Sequence, residues 1–188
     1  MLSKAEEYGL DVMQGNEVSV TLNEIKTLES KGFTFEAAEA SAMMLLKRQE
    51  ANAKPPFELI DFKVAVEHRA KGSIFSEATV NIRVGNEIYH TTAEGDGPVN
   101  ALDKALRKAL IGTFPEIANF HLSDYKVRIL DGENGTSAIT RVLIDTQNHA
   151  ERWSTVGASP NIIEASWQAL ADAIEFGLTM SKELRTEK

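Results

Sequence analysis

The chain has 188 residues, 43% of them hydrophobic and 26% charged, with a formal net charge of −8; these are the proportions of a soluble globular protein with room for one domain and a helical extension. The lack of cysteine excludes disulfides, thiolate metal sites and a cysteine nucleophile, and the acidic balance argues against a nucleic-acid partner. No apolar run approaches the roughly 20 residues of a membrane span and no charged, apolar leader opens the chain, so a cytoplasmic protein with no membrane partner is expected.

Residues 1–10 read as mid-helix with no N-cap ahead of them, the expectation for a piece of a longer protein. Residues 1–52 read as a helical subdomain. Thr21-Leu22-Asn23-Glu24 is a capping-box candidate, followed by Leu22, Ile25 and Leu28 at helical spacing, and Gly32 suits the C′ position. A second helix is predicted over 34–49. Lys54-Pro55-Pro56 then breaks the pattern, because prolines remove donors and bias the preceding residue to extended structure. A second domain, 53–188, is placed after this boundary.

From Phe57 the period changes to two. Phe62, Val64 and Val66 form one alternating set; Ala78, Val80, Ile82 and Val84 form another. Gly85-Asn86 between alternating runs predicts a hairpin into Ile88-Tyr89-His90-Thr91-Thr92. Gly95-Asp96-Gly97-Pro98 comes next, then a helix with Val99, Leu102, Leu106 and Leu110 on one face. Thr113-Phe114-Pro115 ends it. The order then recurs. Asp124-Tyr125-Lys126-Val127 echoes Asp61-Phe62-Lys63-Val64 at an offset of 63, residues 138–144 match 78–84 at 60, and Ala165–Leu170 matches Ala101–Leu106 at 64. The fold predicted is α+β: two βββα units related by duplication, with pseudo-twofold symmetry and helices packed on antiparallel sheets.

Few residues carry recognisable chemistry. His68, His90, His121 and His149 form no ligand pair, so no metal site is expected. Asp131-Gly132-Glu133-Asn134-Gly135 lacks calcium-loop spacing and reads as a solvated turn. No nucleophile–base pattern appears, so no catalytic residue is assigned. Lys104, Arg107 and Lys108 read as a solvated stripe, Trp153 as core, and Trp167 as a candidate subunit contact. The one local signal is the turn at 95–98. Pro98 fits N1 with Gly97 or Asp96 as N-cap, and free N–H groups there attract an anion; Ser159-Pro160-Asn161 looks like a second cap-and-proline start. Asp96 would repel phosphate, and the third glycine of a dinucleotide loop is missing. A zwitterion escapes this objection, its carboxylate meeting N–H groups and its ammonium Asp96. A plain strand-to-helix turn is the alternative.

Gly95-Asp96-Gly97-Pro98-Val99-Asn100-Ala101-Leu102, Asp124-Tyr125-Lys126-Val127, and Thr155-Val156-Gly157 with Asn161-Ile162-Ile163-Glu164-Ala165-Ser166 together resemble the C-terminal regulatory domain of the α-isopropylmalate synthase and citramalate synthase family. Glu164-Ala165-Ser166-Trp167-Gln168-Ala169-Leu170 and Phe57-Glu58-Leu59 resemble the citramalate branch more. The resemblance implies a homodimer that binds a branched-chain amino acid for feedback inhibition, isoleucine in the citramalate branch and leucine in the isopropylmalate branch. It implies a catalytic TIM barrel elsewhere in the full-length acyltransferase, condensing acetyl-CoA with a 2-oxo acid on a divalent metal. The chain itself carries none of the barrel's motifs, so no cofactor and no catalysis are expected of it alone. The effector positions carried over are Gly95, Asp96, Gly97, Val99 and Asn100 at the turn, Leu122, Tyr125, Ile129 and Thr136 in the second unit, and Ser159 and Pro160 at the second helix start. Where the family has glycine or asparagine at the middle of the turn, this chain has Asp96. A ligand-free dimerisation module is the rival reading.

Overall fold

The computed structural model describes residues 16–50, 53–68, 70 and 72–186; the reading of residues 1–10 lies outside them. Helices α1 (Asn16–Ser30) and α2 (Glu39–Arg48) come first. The first sheet is β1 (Glu58–His68), β2 (Ile74–Val84) and β3 (Glu87–Gly95), followed by helix α3 (Pro98–Leu110). A 3₁₀ turn (Pro115–Asn119) leads into β4 (His121–Ile129), a second 3₁₀ turn (Gly132–Ser137), β5 (Thr140–Gln147), β6 (Arg152–Ser159) and helix α4 (Ile162–Thr186). Each sheet is antiparallel and three-stranded, in the orders β1-β2-β3 and β4-β5-β6. The α+β architecture of two βββα units is therefore present.

Alternation builds each unit. On β2, Ala78, Val80 and Ile82 are fully buried, and the residues between them are half-buried. They meet the apolar stripe of α3, in which Ala101, Leu102, Ala105, Leu106 and Leu110 are 0% exposed. In the second unit, Val142 and Ile144 of β5 and Ala165, Ala169 and Leu170 of α4 do the same. Both units and α2 share one core. The duplication also extends to polar contacts. The Thr91 hydroxyl donates to the Ala105 carbonyl at 2.7 Å, and Thr155 donates to Ala169 at 2.8 Å, an offset of 64 in both members. Strand register corrects the sequence alignment here. Phe62 faces Val80 and Tyr125 faces Ile144, so β2 and β5 correspond at 64 residues, not 60. Ala78 and Ala138 both start apolar runs, which is why the sequence comparison slipped by four.

The N-terminal helices break the symmetry. They cover the outer face of the second sheet, where Ile25, Phe35, Ala38 and Ala42 pack on Val156, with Leu143 beside them. Gly32 ends α1 as predicted: Gly32 N–H donates to Glu29 at 3.0 Å and Phe33 N–H to Leu28 at 3.1 Å, with Gly32 at φ 105°. The Arg141 guanidinium donates to the Gly32 carbonyl, joining this C-terminus to β5. Two helix starts differ from expectation. Thr21 is interior to α1, so the capping box is not the N-terminus. The second helix begins at Glu39 and not at 34, because Phe35 and Ala38 are 3% and 0% exposed and plug the outer face as a turn; burial outweighs propensity there.

Several single-residue readings are also corrected. Trp167 is 6% exposed and packs tilted against Phe62, ring centroids 5.4 Å apart, so it belongs to the core. Arg107 is not merely solvated. It forks onto Asp103 at 2.9 Å and donates to the Phe120 carbonyl at 2.7 Å, pinning the 3₁₀ turn. Lys108 donates to the Thr92 carbonyl at 3.1 Å. Trp153 is core, its indole N–H donating to Ala173 at 3.0 Å.

Candidate functional site

The turn between β3 and α3 has two glycines with separate tasks. A Cβ on Gly95 would lie 2.4 Å from the Ala101 nitrogen, so this glycine exists to let the helix approach the strand. Gly97 is the N-cap, in extended conformation (φ −163°, ψ 171°), and a Cβ there would meet nothing within 4 Å. Pro98 follows at N1. No side chain caps this helix. The Asn100 side-chain oxygen turns back to accept the Asp96 N–H at 3.1 Å, so Asp96 is not the cap. Ala101 N–H donates to Gly97 at 2.9 Å, and the first-turn N–H groups of Val99 and Asn100 have no capping acceptor among the described residues. The space beside Gly97 is open, and the positive end of the helix dipole lies at this turn. The Asp96 side chain is exposed in the same turn.

The start of α4 is built differently. Asn161 is its cap, accepting from Ile163 N–H at 2.9 Å and Glu164 N–H at 3.4 Å. Asn161 N–H in turn donates to the Ser159 hydroxyl at 3.1 Å. Pro160 therefore precedes the cap and is not at N1, which corrects the cap-and-proline reading. The second and third N–H groups of α4 are thus capped by a side chain, whereas the corresponding groups of α3 are not.

The remaining carried-over residues lie on the second unit. Ile129, Thr140 and Ser159 face one another across β4, β5 and β6. The corresponding row in the first sheet is Val66, Ser76 and Gly95. Ile129 is 61% exposed, and Thr136 lies exposed on the 3₁₀ turn just beyond it. Tyr125 points inward, and its hydroxyl bonds Ser166 at 2.8 Å in the first turns of α4. Leu122 stands at the other end of β4, paired with Thr146 and seven residues from Ile129, roughly 23 Å along the strand. It lines a cleft with Arg107, Lys108, Ile111 and Phe120. Ile129, Thr136, Ser159 and Pro160 thus gather at one end of the second sheet, with Tyr125 at the middle of β4. Gly95, Asp96, Gly97, Val99 and Asn100 occupy the corresponding end of the first. No hydrogen bond, ion pair or ring contact joins the two groups among the described residues.

A third polar cluster connects the N-terminal helices to the second unit. Ser41 of α2 accepts the edge N–H of Val156 at 3.0 Å and donates to Asp172 of α4 at 2.6 Å. Arg48 donates to Asp172 at 2.6 Å and also to Glu175. Burial pushes the Asp172 carboxyl up, against the opposing pull of Arg48 and Ser41. The guanidinium is held above its ordinary value by the two acids, which outweigh its own burial. Sequence reasoning missed this cluster because its α2 and α4 partners lie more than 120 residues apart and no local pattern links them. Among the described residues no group of histidine and acidic side chains could hold a metal ion, and no helix is long and apolar enough to cross a membrane.

Comparison with known proteins agrees with the architecture. A family profile described as the LeuA allosteric (dimerisation) domain matches residues 36–178. (R)-Citramalate synthase of Geobacter sulfurreducens is 44% identical over 190 residues, covering 100% of this chain and 36% of the relative. The enzyme of the same name from Synechocystis is 46% identical over 185 residues, covering 96% and 34%. 2-Isopropylmalate synthase of Pseudoalteromonas atlantica is 29% identical over 168 residues, covering 89% and 28%. The chain thus spans about a third of the length of these relatives. With the family profile on most of its length and two antiparallel βββα units beneath it, the chain belongs to the LeuA allosteric (dimerisation) domain family.

Proposed function

We propose that this chain is the allosteric domain of a citramalate-type synthase and that it binds isoleucine at the β3–α3 turn to inhibit the enzyme. The observation that carries the reading is the contrast between the two helix starts: α4 is capped by Asn161, whereas no side chain caps the Val99 and Asn100 N–H groups of α3, beside the open space at Gly97. An amino-acid carboxylate fits those donors, and the exposed Asp96 carboxylate is near enough in sequence to meet the ammonium. The full-length protein would then be an acyltransferase condensing acetyl-CoA with pyruvate on a metal-bearing barrel, with residues 1–52 as the linker to it. Feedback would follow because the effector prefers the low-activity arrangement of barrel and linker.

The domain works as a homodimer in this reading. Val66 and Ile129 correspond in the two units, lie on the helix-covered faces of the outermost strands, and are 57% and 61% exposed. Val127, on the same face as Ile129, is 43% exposed. Such apolar positions, left bare by the chain's own helices, suit a second copy. Sedimentation would then give twice the mass of the chain. The alternative is the leucine-sensing domain of a 2-isopropylmalate synthase, an enzyme name also found among the relatives.

Amide NMR during titration with isoleucine tests the placement. The largest shifts are expected at Gly97, Val99 and Asn100, with Ile163 and Glu164 little changed. Shifts confined to the α4 start, or none, would contradict it.

A further inference from the structure

Ser76 sits near the start of β2, on the same face as Ala78, Val80 and Ile82. It is 1% exposed, and its hydroxyl is the one buried side-chain polar group among the described residues with no hydrogen-bond partner. Buried polar groups are paired in the great majority of cases, so an orphan needs a reason. Packing alone would be served by alanine, which stands two residues along the same face as Ala78. Across the sheet Ser76 is flanked by Val66 and Gly95. Gly95 lies directly beneath the Ala101 nitrogen. The hydroxyl is therefore in the floor under the first turn of α3, next to the strand end that leads into Gly97.

We infer that Ser76 is a further specificity-determining contact of the effector site, its hydroxyl donating to the carboxylate of an α-amino acid held at the start of α3. The inference rests on the reading of that turn as the effector site. A helix start supplies N–H donors from one side of a carboxylate, and Ser76 supplies an O–H from the strand below. Because Ser76 is closed to solvent, an effector reaches it only as the first turn of α3 lifts from Gly95. Occupancy and movement of α3 are then one event, and the effector favours the lifted arrangement by the hydrogen bond it gains there.

Calorimetric titration of the wild-type chain, Ser76→Ala and Ser76→Cys with isoleucine and with isoleucinamide provides the test, alongside the melting temperature of each protein without additive. Ser76→Ala should weaken isoleucine binding about tenfold or more, the loss that accompanies removal of a hydrogen bond to a charged group. Its melting temperature should be no lower than wild type, since no made bond is lost. Ser76→Cys, which keeps a weak donor, should fall between. With isoleucinamide, which has no carboxylate, wild type and Ser76→Ala should bind alike. Unchanged isoleucine affinity in Ser76→Ala, with wild type binding, overturns the role of Ser76 and leaves the effector reading standing. A lowered melting temperature with unchanged affinity would mark the serine as structural. Absence of wild-type binding to isoleucine, leucine and valine overturns the effector reading and this inference with it.

Discussion

Gly95 and Gly97 are two residues apart and fail in different ways when changed. Any side chain at Gly95 enters the backbone of α3, with a Cβ 2.4 Å from the Ala101 nitrogen. Overpacking of this kind costs about 1–3 kcal/mol. Gly95→Val should therefore lower the melting temperature by several degrees, about 2–4 °C per kcal/mol at this size. At Gly97 the backbone is extended, which valine adopts freely, and the space is open. Gly97→Val should melt near wild type and lose effector binding, because its branched side chain fills the place assigned to the carboxylate. Thermal melts with isoleucine titrations separate the two. A normal melt for Gly95→Val, or normal binding by Gly97→Val, would contradict these assignments. The sequence displays both glycines but not their division of labour, which depends on how closely α3 crosses β3. Ser76 was illegible for a related reason: a lone serine in an alternating run carries no sign that its hydroxyl lacks a partner.

Between elements, α2 is tied to α4 and β6 by Ser41, Arg48, Asp172 and Glu175. Removing one partner of such a cluster leaves the others uncompensated, at 3–5 kcal/mol when fully buried. Arg48 has a side chain 41% exposed to solvent, so Arg48→Met should cost less, about 2 kcal/mol, or about 4–8 °C in melting temperature. The pH dependence has a definite sign. The Asp172 carboxyl is already raised by burial in the folded chain, and without Arg48 it rises further. Folding then favours its protonated form, so the deficit should shrink as pH falls from about 7 toward 5. Melts of wild type and Arg48→Met at both pH values check this; an equal deficit at both would show that the carboxylates do not dominate the loss. Helix existence was legible from apolar spacing, including the α1 stop at Gly32. Helix starts were less so, because Thr34–Ala38 is held as a turn by the burial of Phe35 and Ala38, a tertiary effect.

At the scale of the molecule, the duplication was visible in sequence because apolar alternation and the Asp-aromatic-Lys-Val motif repeat. The register was not, since Ala78 and Ala138 offer a false match four residues off the true one. The candidate turn was legible as glycines before a proline-started helix. What the sequence could not show is that the two starts are unequal, one capped by Asn161 and one open at Gly97. Nor could it show that Leu122 lies at the far end of β4 from Ile129. That distance, roughly 23 Å, exceeds the length of any single amino acid. The central claim is that this chain senses a branched-chain amino acid. Its most direct test is calorimetric titration of the intact chain with isoleucine, leucine and valine. Saturable binding with isoleucine tightest is predicted; no heat from any of the three at millimolar concentration would contradict it.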